Sequence, residues 1–70
     1  MDSNILNLFD EIDKIYEKDS NTRKKIRSLC ESGNYDQAQK IVDNEYPSIA
    51  KELLESRSRL FEALKLRKCN

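Results

Sequence analysis

A single glycine, Gly33, divides this chain into two arms of about thirty residues, and both arms carry apolar residues at the spacing of an α-helix. Glycine enters the left-handed backbone region without the penalty a Cβ imposes, so it suits the position just past a helix end. Asn34 follows directly and can cap a new helix, with Gln37 three residues on in the manner of a capping box. Asp36 stands in the first turn, where negative charge suits the helix dipole. A helix stop and a helix start this close together leave a reversal as the simplest path. The sequence therefore predicts an all-α antiparallel helical hairpin, one domain over residues 1–70.

In the first arm Asp2 or Ser3 can cap the helix start. Ile5, Leu8, Phe9, Ile12, Ile15 and Tyr16 follow at steps of three and four, which places them on one stripe. The pattern lapses through Asp19-Ser20-Asn21-Thr22 and resumes at Ile26, Leu29 and Cys30. Four consecutive poor helix formers predict a mid-arm break near 19–22. In the second arm Ala38, Ile41, Val42, Tyr46, Ile49, Ala50, Leu53, Leu54, Leu60, Phe61 and Leu64 read as one stripe. Its phase survives Pro47, which predicts a kink there in a helix that ends near Arg67. The fragment Gly33-Asn34-Tyr35-Asp36-Gln37-Ala38 resembles the elbow of many helical hairpins, among them tetratricopeptide repeats and flagellar export chaperones.

Folding the chain about residues 33–36 pairs positions whose numbers sum to about 69. Ile5 then falls near Leu64, Leu8 near Phe61, Phe9 near Leu60, Ile15 near Leu54 and Tyr16 near Leu53. Asp10 faces Arg59, Lys14 faces Glu55 and Lys24 faces Glu45, whereas Glu17 opposite Glu52 is a mismatch. Exposed pairs of this kind contribute about 0.2–1 kcal/mol each, enough to favour a register but not to hold a fold. Two helices alone bury too little to offset the entropy of ordering them. A second copy supplies the missing cover, so the expected assembly is a homodimer forming a four-helix bundle. That shape resembles the plasmid copy-number regulator Rop. The alternative is a compact three-helix monomer folded at the 19–22 break.

Composition narrows the function classes. Thirteen basic and thirteen acidic residues give zero formal charge, which favours neither nucleic acid nor an acidic membrane as partner. No basic leader and no long apolar run is apparent, so the reading is no membrane and a cytoplasmic setting. The chain has no histidine, and its acidic set Asp10, Glu11, Asp13 and Glu17 reads as a solvated helix face. No enzyme activity, metal or cofactor is expected. Cys30 lies on the apolar stripe and Cys69 in the tail, about 45 Å apart for arms of this length, so they are not expected to pair within a chain.

Two functional readings remain. The first is a non-enzymatic protein–protein interaction module, a small regulator, adaptor or chaperone that binds another protein through a helix face. Its expected interface is Tyr46, Ile49, Ala50 and Leu53, with Tyr35 beside the turn. The second is an RNA- or DNA-binding regulator that uses Arg23, Lys24 and Arg27 from the densest basic run, duplicated in a dimer. No aromatic residue is interleaved there to stack bases, and Arg57, Arg59, Lys65, Arg67 and Lys68 are accounted for by the helix dipole and acidic neighbours.

Overall fold

The computed structural model describes residues 3–69 and consists of two α-helices, α1 (Ser3–Glu31) and α2 (Tyr35–Cys69). They run antiparallel as a hairpin whose dimensions are 55 × 18 × 11 Å. Asp2, one of the two residues expected to cap α1, lies outside the described residues.

The reversal is built as a Schellman turn. Gly33 has φ +81°. Its N–H donates to the Cys30 carbonyl at 3.1 Å, and the Asn34 N–H donates to the Leu29 carbonyl at 2.8 Å. These two bonds satisfy carbonyls that the helix end would otherwise leave open. The Asn34 carbonyl accepts the first bond of α2, from Ala38 N–H at 3.1 Å. The Asn34 side chain turns back toward the preceding helix, where its Nδ2 donates to Ser32 Oγ at 3.2 Å. Asn34 thus occupies the capping position of α2 while its side-chain amide braces the turn.

The break expected at 19–22 does not exist: α1 is continuous for 29 residues, and the compact three-helix alternative falls with it. The reason is phase. Ile5, Leu8, Ile12 and Ile15 step by three and four, and the same steps continue through Asp19, Thr22, Ile26 and Leu29. Thr22 is buried, and Asp19 and Ser20 are half-buried. Asp19 also accepts an ion pair from Arg23 at 3.2 Å. Propensity penalises four such residues by about 2 kcal/mol in all. Continued packing against α2 outweighs that.

Pro47 lies inside α2, which runs through it for 35 residues and ends at Cys69, two residues past Arg67. The proline is exposed, as is Asp43, whose carbonyl loses its intrahelical donor. A carbonyl on an exposed residue can bond solvent instead, so a proline here costs the helix less than one in a buried stretch. Cys30 is a free thiol beside the turn, and Cys69 closes α2 at the opposite end of the hairpin.

The inner face of α2 follows a different line from its apolar stripe. Ala38, Ile49 and Ser56 are buried, and Val42, Glu45, Glu52 and Ala63 are half-buried. These positions step 38, 42, 45, 49, 52, 56 and 63 along one side of the helix. Ser56, only 2 % exposed, is the most buried of the core residues. Leu54, at 67 % exposed, and Phe61, at 65 %, stand outside the seam. Of the expected partners, Phe9, Tyr16, Leu54, Phe61 and Leu64 are exposed rather than packed between the helices. The register is also one residue from the expected sum. Glu11 meets Arg59 at 3.2 Å and Lys18 meets Glu52 at 3.4 Å, both summing to 70.

The turn makes a direct prediction. A Cβ built on Gly33 meets nothing within 4 Å, so any cost of substitution there is backbone strain alone. Gly33→Val should lower the unfolding free energy by at least about 1–2 kcal/mol, the penalty of the left-handed conformation. A D-alanine introduced at 33 by chemical synthesis should leave the melting temperature unchanged or raised. Equal melting temperatures for the valine variant and the parent would exclude the left-handed turn.

Candidate functional site

The seam leaves the hairpin with two unlike long faces. One is polar. Glu11, Lys14, Glu52, Glu55 and Arg59 line a shallow depression across it, bridged by the Glu11–Arg59 and Lys18–Glu52 pairs. Arg59 Nη2 also donates to the buried Ser56 Oγ at 3.1 Å, which supplies that hydroxyl with a partner. Here the charged side chains lie across the seam and seal it.

The opposite face is apolar. A groove of about 300 Å³ runs between the helices, lined by Ile15, Tyr16, Asp19, Tyr46, Ile49, Ala50 and Leu53. Tyr46 and Leu53 are half-buried and Ala50 is exposed. Ile49, at 5 % exposed, is the floor of the groove and is covered within the chain. Four of the five residues expected at an interface are thus brought together. The fifth, Tyr35, is set apart in a depression at the turn with Gly33, Asn34, Asp36 and Gln37.

The same face extends toward the open end of the hairpin. Leu6, Phe9 and Tyr16 on α1, and Leu54, Phe61 and Leu64 on α2, are all exposed. Positions 6, 9, 13 and 16 share one side of α1, and 50, 53, 54, 57, 61 and 64 share the matching side of α2. Arg57 sits within this patch, with its guanidinium 5.9 Å from the Tyr16 ring centroid and Nη2 donating to the Tyr16 hydroxyl. Six large apolar side chains on one side of a hairpin are more than the scattered exposed residues ordinary on a soluble surface. Sequence reasoning placed five of these six in the hairpin interior. Only the phase of the seam, read through Glu45, Glu52 and Ser56, separates the two sets.

The alternative site is arranged differently. Arg23 pairs with Asp19 at 3.2 Å and Arg27 with Glu31 at 3.2 Å, both one helical turn apart. Lys24 and Lys25 border a separate depression with Ser28, Leu29 and Ile41. The basic run is therefore divided between two sides of α1, and its arginines have acidic partners. Among the described residues no group of three His, Cys, Asp or Glu side chains is placed to hold a metal ion, and no helix is long and apolar enough to cross a membrane.

No family model matches the chain, and no curated protein or solved structure matches it. The functional reading rests on the geometry of the two faces alone.

The local arginine pairs should contribute little to stability. Arg23→Ala combined with Arg27→Ala should cost under about 1 kcal/mol, since exposed pairs at this spacing are worth about 0.3–0.5 kcal/mol each. Urea unfolding followed by circular dichroism measures this. A loss of several kcal/mol would mean that these arginines carry a structural contact beyond their neighbouring acids.

Proposed function

We propose that this protein is a non-enzymatic interaction module that works by packing its apolar face against helices of another chain. The observation that supports this reading most is the six-residue apolar patch continuous with the groove between α1 and α2. A hairpin with one sealed face and one open apolar face is half of a four-helix bundle, and the open half fits two further helices. Burying one Leu or Phe side chain contributes about 1.5–3 kcal/mol, so a partner covering several of them gains enough to bind. Regulators, adaptors and chaperones are the roles such a module serves, and a self-paired form is part of the same reading. The setting we propose is cytoplasmic. The nucleic-acid alternative has less support, because the arginines of the 23–27 run face acids of their own helix.

The test is capture of binding proteins from the native host by the immobilised chain. Leu54→Asp combined with Phe61→Asp should abolish the capture, because it places two carboxylates in the contact. Lys51→Ala, on a charged exposed residue of α2, should leave it intact. Capture that survives the double aspartate substitution would overturn the reading. Salt-sensitive binding of RNA or DNA lost in Arg23→Ala plus Arg27→Ala would favour the nucleic-acid regulator instead.

A further inference from the structure

We infer that the apolar face is covered by a second copy of this chain, related by a two-fold axis parallel to the hairpin, with both turns at the same end. This rests on the proposed interaction face and names its occupant. The chain exposes 5598 Å². A compact monomer of 8.2 kDa exposes about 4,500 Å². The excess, about 1,000 Å², is close to the roughly 800 Å² that each partner contributes to a stable interface.

Charge and size complementarity select a second copy and its orientation. A two-fold axis along the hairpin lays α1 of one copy over α2 of the other, at the heights set by the register summing to 70. Leu6 then meets the partner's Leu64, Phe9 the partner's Phe61 and Tyr16 the partner's Leu54. Large side chains face large ones. Ser20 meets the partner's Ala50, so small faces small. The two charged positions embedded in the patch, Asp13 and Arg57, meet each other, and nearer the turn Arg27 meets the partner's Asp43. Rotating the second copy end for end instead, with the two patches overlapped, lays α1 on α1 and α2 on α2. In the register that lays 50–64 on itself, Asp13 then faces Asp13 and Arg57 faces Arg57; in the one that lays 54–64 on itself, Asp13 faces Phe9 and Arg57 faces Phe61, so neither charge gains an opposite partner. Like charges opposed, or charges closed over without an opposite partner, disfavour that arrangement.

Two measurements test this on the full chain. Sedimentation equilibrium should give the dimer mass for the parent. Asp13→Arg and Arg57→Asp should each weaken the dimer by about tenfold or more, because each opposes like charges twice. Both positions are exposed, so circular dichroism of the variants should match the parent. Mixing the two variants in equal amounts should restore a dimer, since the mixed pair recovers both attractions. Spin labels at Tyr35→Cys, in a Cys30→Ser and Cys69→Ser background, should report an interchain distance far shorter than the 55 Å hairpin. A monomer mass overturns the dimer, and no restoration on mixing overturns the Asp13–Arg57 pairing and the orientation that requires it. A label separation near the hairpin length overturns the orientation. If the parent is monomeric while Leu54→Asp plus Phe61→Asp still abolishes capture of other proteins, this inference fails and the interaction module stands. If that double variant changes neither self-association nor capture, both fail.

Discussion

Two helices touch along one line, and each can hide only the stripe that lies on that line. In α1 the line and the apolar stripe coincide through Ile5, Leu8 and Ile12, which are buried. In α2 they diverge. The inner line passes through Glu45, Ile49, Glu52 and Ser56, and the larger apolar residues Leu54, Phe61 and Leu64 stand to one side. The packing of the hairpin, its unequal faces and its proposed mode of action all follow from that divergence.

The polar content of the seam sets how the hairpin closes. Ser56 is small, and so is Thr22, so neither holds the helices apart. The Ser56 hydroxyl accepts from Arg59, which in turn reaches Glu11 on the other helix. Such a seam specifies register through hydrogen bonds and ion pairs but hides little apolar area. The apolar area that remains lies on the far side. The proposed function thus depends on the incompleteness of the intrachain core.

The turn was legible in the sequence because one residue type determines it: Gly33 is the sole glycine and takes the left-handed conformation. The two-arm architecture followed from that and from helical spacing. The continuity of α1 through 19–22 was less legible, since propensity and phase disagree there and propensity is local. Packing reads phase, so Thr22 became a core residue and the helix did not break. The inner line of α2 was concealed for a related reason. Counting apolar residues selects the stripe through Leu54 and Phe61, but contact with α1 selects the line through Ser56 and Ile49. Part of the candidate face was nonetheless found, because Tyr46, Ala50 and Leu53 border both lines. Ile49 proved to be its floor, and Tyr35 stands apart at the turn.

The central claim is that the apolar face is covered by association rather than by collapse of the chain on itself. The concentration dependence of the melting temperature tests it most directly. Association that involves only the folded state raises the melting temperature as concentration rises. The account predicts an increase across a hundredfold range of protein concentration, removed by Leu54→Asp plus Phe61→Asp. A melting temperature that is high and independent of concentration would contradict it, because the hairpin would then be stable with its apolar face in water.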